Sequence, residues 1–342
     1  MVADFHAKAI HDISGAKLVG FCDGGSGRAK QLATQYSCQA FENYQTMLEN
    51  DEIDIVTIAT PSGFHLEPTV AAAKAGKHVI CEKPLEISLE RIDMMIDAHD
   101  KAGTLLGGIL QNRFNEALVH LRQAIDSGRF GDITYVGVFV PWWRSDEYYQ
   151  DSWHGTWELD GGGALMNQSI HMIDLLYDLM PSIETIHALA GTLGHRDMET
   201  EDTAVAILRF TTGTLGIIYG TTASYPGQLR RLEITGTKGT VVYQEDSFSV
   251  WQFAEETTKD QKIRKQFSHV KGPGGMAEPA SITHENHRRN FKAFIHSLET
   301  GEEFCLRGNE ARKAVEIVLA IYESARQQKP VVLNNAEENI EA

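Results

Sequence analysis

The chain is poor in cysteine, short of positive charge, and without any long apolar run. Its four cysteines in 342 residues (Cys22, Cys38, Cys81, Cys305) form no CxxC and no ligand-like spacing, so nothing suggests a metal-binding or disulfide framework. Cys22 and Cys81 lie inside apolar runs and read as buried free thiols, which suits a reducing compartment and hence a cytoplasmic location. Lysine and arginine number 31 against 47 aspartates and glutamates, a net charge of −16 with a pI near 5.3. Nucleic acid and anionic membranes want the opposite sign. No apolar run approaches the ~20 residues that span a bilayer. Repeats and low-complexity tracts are missing too. What remains is an ordinary globular composition, 42% hydrophobic and 23% charged, with enough length for two domains.

The clearest stretch is Val79-Ile80-Cys81-Glu82-Lys83-Pro84-Leu85. A short apolar run that stops at an acid, a base and a proline reads as a buried parallel strand. Ligands of open α/β sheets bind at the carboxyl ends of such strands, where Glu82 and Lys83 sit. Either they form a surface ion pair, or Lys83 donates to a substrate hydroxyl. Around this strand the chain alternates. A helix spans 2–13, a strand 16–22, a helix 26–36 opened by Ser26 and a strand 52–59. Then follow a helix 65–75, a helix 88–101 and a strand 105–110. This alternation predicts a parallel, doubly wound sheet. After a helix near 115–127 the pattern becomes strands at 132–143, 183–193, 202–210, 214–223, 230–235, 239–244 and 247–253. That predicts an open antiparallel sheet with helices such as 164–179 on one face, the other face serving an oligomer interface. Residues 255–280 read as a long surface loop, 284–299 and 309–328 as amphipathic helices. The fold class is therefore α/β followed by α+β, with domains at 1–112 and 113–333 and an acidic tail at 334–342.

Several residues could carry chemistry. Asp23, at the end of a strand, either accepts hydrogen bonds from an adenosine ribose and repels a 2′-phosphate, or is a solvated turn residue in Asp-Gly-Gly. Asn167, His171 and Asp174 fall at i, i+4 and i+7 of an otherwise apolar helix preceded by Gly161-Gly162-Gly163, so a regular helix puts them on one face. His171 can take a proton from an alcohol, with Asp174 orienting it, or be a core histidine bonded to a carbonyl. The block Trp142-Trp143-Arg144, Tyr148-Tyr149, Trp153-His154 and Trp157 offers aromatic faces for a sugar and polar groups for its hydroxyls. Trp143, Arg144, Tyr149 and Trp153 are the substrate candidates; an aromatic interface patch is the alternative. Arg113, past the last parallel strand, can bind an acidic group of a ligand or brace the domain junction.

Together these pieces resemble the Gfo/Idh/MocA oxidoreductases, the glucose–fructose oxidoreductase and myo-inositol dehydrogenase family. The resemblance is carried by Ala59-Thr60-Pro61 with His65, Cys81-Glu82-Lys83-Pro84, and Gln111-Asn112-Arg113-Phe114-Asn115. It extends through Gly161-Gly162-Gly163-Ala164-Leu165-Met166-Asn167-Gln168-Ser169-Ile170-His171-Met172-Ile173-Asp174 and the tail from Gly308 to Leu333. It implies a Rossmann domain binding NAD, with NADP as the alternative that Asp23 disfavours. It also implies hydride transfer from a sugar or cyclitol carbinol carbon. By the same resemblance Lys83, His171 and Asn167 form the catalytic set, and Thr60, Pro61, His65, Glu82, Lys83 and Arg113 serve the cofactor side. Lys83, Asn167 and His171 also touch substrate. Many members carry aspartate where this chain has Asn167. An amide cannot act as a carboxylate base, so proton transfer falls to His171 and Lys83. Asparagine there is similar to the branch acting at C3′ of nucleotide-linked N-acetyl-amino-uronic sugars.

One departure is large. The family opens with a strand and a Gly-x-Gly loop that cradles pyrophosphate; this chain opens at Met1-Val2-Ala3-Asp4-Phe5-His6, which resembles the residues after that loop. Losing that central strand leaves two inner strands with unpaired edges. About 8–12 further residues, a strand and its turn, are therefore expected upstream. Expected partners are a small sugar or cyclitol and further copies of the chain as a dimer or tetramer, with no nucleic acid, no membrane and no metal. Two other readings use the same fold: a non-catalytic NAD-responsive regulator, and a glycosidase that oxidises and re-reduces its sugar with bound NAD.

Overall fold

The computed structural model describes residues 2–150, 153–268 and 283–333. Contacts divide them into two compact units: residues up to Gln111 with Thr283–Arg312, and Asn112–Ile282 with the chain from Lys313 onward.

The first unit opens with α1 (Val2–His11), β1 (Gly20–Cys22), α2 (Arg28–Tyr36), β2 (Gln39–Phe41) and α3 (Tyr44–Leu48). It continues with β3 (Ile55–Ile58), α4 (Leu66–Lys74), β4 (His78–Cys81), α5 (Leu89–Ala102) and β5 (Leu106–Gly108). All strand pairs are parallel: β1 with β2, and β4 between β3 and β5. Among the described residues no ladder joins the two groups. β4 is flanked on both sides, and Val79, Ile80 and Cys81 are wholly buried, which is why its sequence is a continuous apolar run rather than an alternation. α5 shows why the helices stop where they do. Ser88 caps it by accepting the Arg91 N–H at 3.3 Å, and Gly103 ends it in the left-handed region at φ 68°. Ile92 and Met95 on its inner face are fully buried.

The second unit begins with α6 (Glu116–Asp126) and β6 (Ile133–Pro141), then α7 (Ile170–Leu179). Six strands follow: β7 (Ile183–Gly191), β8 (Thr203–Phe210), β9 (Leu215–Thr221), β10 (Arg231–Gly236), β11 (Gly239–Gln244) and β12 (Ser247–Phe253). Along the chain come next α8 (Thr258–Gln266), α9 (Glu285–Thr300) of the first unit, α10 (Gly308–Gln327) and β13 (Val331–Val332). The sheet runs β12-β11-β10-β6-β9-β8-β7-β13. It is not purely antiparallel as the strand spacing predicts: β6 pairs β9 in parallel, so the sheet is mixed. β8 alternates cleanly, with Ala204, Ala206, Leu208 and Phe210 buried and Val205 and Ile207 exposed. α7 packs on the inner face against β6 and β10. The expected loop at 255–280 contains α8, set by a capping box in which Thr257 and Asp260 serve each other's backbone N–H; residues 269–280 lie outside the described residues. α9 belongs to the first unit, where the sequence reading draws one boundary near residue 112.

Candidate active site

In the first unit the singled-out residues stand at or just past strand ends. Asp23 follows β1. Its Oδ1 accepts the Gly25 N–H at 2.8 Å, and its Oδ2 accepts from Ser26 Oγ at 2.8 Å and Ala29 N at 2.9 Å. The N–H of Ala29 and the Ser26 hydroxyl hold this carboxyl below the usual range. An anionic, half-buried acceptor at this position fits an adenosine ribose. Thr60 follows β3 and is exposed, with Pro61 half-buried beside it.

Glu82 and Lys83 follow β4. Glu82 is buried; Lys83 is half-buried, and its N–H donates to Glu82 Oε2 at 3.0 Å. The Lys83–Pro84 peptide is cis. Glu82 Oε1 lies 2.9 Å from His6 Nε2 on α1 and 3.6 Å from His287 Nε2 on α9. Burial alone would push the Glu82 carboxyl up, but the imidazoles of His287 and His6 outweigh it and hold it well below its usual range. Sequence spacing gave no hint of either histidine, because both reach Glu82 only through the packing of two helices against the sheet.

His65, a cofactor candidate by sequence, is 1% exposed. Its Nδ1 lies 3.1 Å from the Pro84 carbonyl and 3.2 Å from that of Leu85, and its Nε2 lies 3.0 Å from that of Thr60. The ring sits between the two strand-end loops, and its neutral form has one N–H to donate to these carbonyls. Burial pushes its pKa down.

In the second unit, Asn167 and His171 do not share one uninterrupted α-helix. Residues Ala164–Ser169 form a π-helical segment before α7, and the wider turn breaks the 3.6-residue register that a common face over 167, 171 and 174 requires. Asn167 Nδ2 donates to Asp160 Oδ1 at 2.8 Å and Oδ2 at 3.0 Å. His171 is buried on α7. Asp174 accepts from Arg113, Nε at 2.8 Å and Nη2 at 2.5 Å, and Asp178 accepts from Arg113 Nη1 at 3.1 Å. Arg113 thus ties the turn before α6 to α7 within the second unit.

The π segment is anchored from β8's approach. The Glu201 carbonyl accepts the Ala164 N–H at 3.0 Å. Its carboxylate accepts from Gly163 N at 3.0 Å, Leu165 N at 2.8 Å and the Tyr322 hydroxyl at 2.9 Å. A Cβ at Gly163 would stand 1.8 Å from the Glu201 carbonyl, so only glycine fits. Burial raises the Glu201 carboxyl to about 7 against the pull of the Leu165 N–H and the Tyr322 hydroxyl.

The aromatic block is assembled near this segment. Arg144 is buried, with its guanidinium over Trp142 at 5.1 Å and Tyr148 at 5.6 Å, and Nη1 donating to the Trp143 carbonyl at 2.8 Å. Tyr149 donates to Thr222 Oγ1 at 2.8 Å and meets His195 edge-on at 4.8 Å. Trp153 lies against His154 at 3.7 Å and Trp143 against Tyr225 at 5.4 Å. His195, unremarked by sequence, sits between Asp202 Oδ2 (3.2 Å) and the Arg144 carbonyl (2.9 Å). It ties β8 to the aromatic block.

Residues 1–108 match a family model described as the oxidoreductase family with an NAD-binding Rossmann fold, and residues 118–242 match the GFO/IDH/MocA C-terminal domain. The WlbA dehydrogenase from Bordetella pertussis, solved with NADH and UDP-GlcNAcA, is 34% identical, with TM-score 0.89 over 98% of this chain and 95% of its own. Myo-inositol 2-dehydrogenase of Thermotoga maritima is 24% identical over 97% of this chain and 96% of its own length. The NAD(+)-dependent scyllo-inositol 2-dehydrogenase of Bacillus subtilis is 29% identical over 69% of each.

Proposed function

Because this chain belongs to the GFO/IDH/MocA oxidoreductase family, we propose that Lys83 and His171 carry its chemistry. It is an NAD-dependent dehydrogenase acting on a CH–OH group of a sugar or cyclitol. Bound NAD supplies the hydride acceptor. Lys83 donates a hydrogen bond to the reacting hydroxyl oxygen, and His171 takes the hydroxyl proton. Asn167 contacts substrate as a neutral amide, its Nδ2 held by Asp160. Asp23 receives the adenosine ribose and disfavours a 2′-phosphate, which selects NAD over NADP. Thr60, Pro61 and Glu82 line the ribose and nicotinamide side, while His65 and Arg113 act as braces.

The substrate we propose is a UDP-linked N-acetyl-amino-uronic sugar, oxidised at C3′. The observation that carries this reading is the 34% identity, across 98% of the chain, to a dehydrogenase solved with UDP-GlcNAcA. Asn167 in place of the more usual aspartate supports it. Trp143, Tyr149 and Trp153 would stack on the sugar or base, and Arg144 would face acidic groups. A second copy of the chain would cover the outer face of the mixed sheet, giving a dimer or tetramer. Register places Leu189 beside Val205 and Arg209 beside Leu215, with Ile207 between them on the same face. Leu189, Ile207 and Leu215 are 69%, 59% and 53% exposed, and neighbouring exposed apolar side chains mark interaction surfaces. The four free cysteines fit a cytoplasmic setting.

The test is NADH formation with a panel of cyclitols, free sugars and UDP-sugars. Turnover confined to the UDP-linked uronic sugar supports the reading. NAD binding without turnover of any member would favour a regulator, and sugar release without net NADH would favour a glycosidase.

A further inference from the structure

We propose that His6 and His287 are positioning residues for Lys83, acting through Glu82; this rests on the reading of Lys83 given above. Two helices and the Lys83 peptide meet at one carboxylate. His6 from α1 meets Glu82 Oε1 at 2.9 Å, and His287 from α9 lies 3.6 Å from the same oxygen. The Lys83 N–H donates to Oε2 at 3.0 Å. On β3, Thr57 Oγ1 lies 2.8 Å from His6 Nδ1, fixing the ring's tautomer and tilt. His6, Glu82 and His287 are 1%, 8% and 7% exposed. Aromatic rings wall the cluster: Phe291 meets His6 edge-on at 5.2 Å, and Phe5 stacks on His287 at 6.0 Å.

A carboxylate in such surroundings stays ionised only while its donors remain. Here it does more than neutralise histidines, because its second oxygen grips the peptide from which the Lys83 side chain starts. Displacing a catalytic group by about 1 Å can cost on the order of 100-fold in rate. The other titratable groups around Glu82 are Lys83 and Cys81 beside it in sequence and His65 across the strand-end loop. The ligand-capable atoms of His6, Glu82 and His287 also lie within 4.8 Å of one another, a spacing a metal could use. The 2.9 Å contact of His6 with Glu82 and the use of Oε2 by a backbone N–H favour a hydrogen-bonded clamp.

The experiment compares His287→Phe, which keeps a ring but no polar nitrogen, with His287→Gln, which keeps one. Both are assayed with NAD and the UDP-linked uronic sugar beside Lys83→Ala. His287→Phe is expected to lose roughly 10- to 100-fold in kcat with little change in KM, the range typical of lost outer-shell support. It should also gain an acid limb in its pH profile. With that imidazole gone, burial raises the Glu82 carboxyl, so protonation on the acid side removes activity that the parent enzyme keeps. His287→Gln should restore most of kcat and remove the new limb. If His287→Phe does not fold, His6→Phe against His6→Gln is the same comparison. Unchanged kcat and pH profile in the phenylalanine variant, with Lys83→Ala inactive, overturn the clamp and leave the Lys83 reading intact. Activity retained by Lys83→Ala overturns both. One tightly held zinc per chain, lost in His287→Phe, makes the cluster a metal site and also overturns the clamp.

Discussion

Glu201 offers a prediction whose size can be worked from the structure. Its buried carboxylate takes hydrogen bonds from Gly163, Leu165 and Tyr322 and anchors the π segment ahead of His171. Burial lifts its pKa from 4.5 to about 7. The folded state therefore binds its proton more tightly than the unfolded chain, and stability must fall as pH rises between those values. The stabilisation is fully present below the unfolded pKa and is lost as pH passes the folded one. The gap corresponds to roughly 3 kcal/mol. Glu201→Gln removes this titration while nearly preserving shape. All five tryptophans (Trp142, Trp143, Trp153, Trp157, Trp251) lie in the second unit, so fluorescence-detected urea unfolding reports that unit. The advantage of the parent protein over Glu201→Gln should shrink by about 3 kcal/mol from pH 4.5 to pH 8. Parallel stability curves for the two proteins would refute the raised carboxyl.

Asp174→Ala removes the carboxylate that accepts from Arg113 Nε and Nη2, on a side chain only 6% exposed. It should destabilise the second unit by about 3 kcal/mol in the same unfolding assay, the low end for breaking a buried pair. Asp23→Ala should raise the KM for NAD and narrow the gap to NADP in initial-rate assays, with kcat at saturating NAD little changed. Ile207→Lys, on the exposed sheet face, should shift the assembly towards monomer in analytical ultracentrifugation without changing the circular dichroism of the fold. An unchanged sedimentation coefficient would place the interface elsewhere.

The parts legible in the sequence were those governed by local rules. β4 announces itself because a flanked parallel strand is apolar on both faces, and α5 because a serine cap and a left-handed glycine bracket it. β2 and α3 were not legible, being three and five residues long with exposed polar positions. α8 hid within a stretch whose charge suggests a loop, although its Thr257–Asp260 capping box was a usable signal. The parallel pairing of β6 with β9 depends on which strands meet, not on what either contains. The π segment at 164–169 follows from a glycine pressed against the Glu201 carbonyl, a contact between distant residues. His6 and His287 were invisible for the same reason, while Lys83 and His171 were singled out because their neighbours in sequence form dense motifs.

The most direct measurement uses UDP-linked N-acetyl-amino-uronic sugar carrying deuterium at C3′, incubated with NAD and either the parent enzyme or Lys83→Ala. Deuterium should appear in the NADH formed by the parent enzyme, and Lys83→Ala should form none while still binding NADH. Label retained on the sugar during turnover, or undiminished transfer by Lys83→Ala, would contradict a hydride leaving that carbon under the care of this lysine.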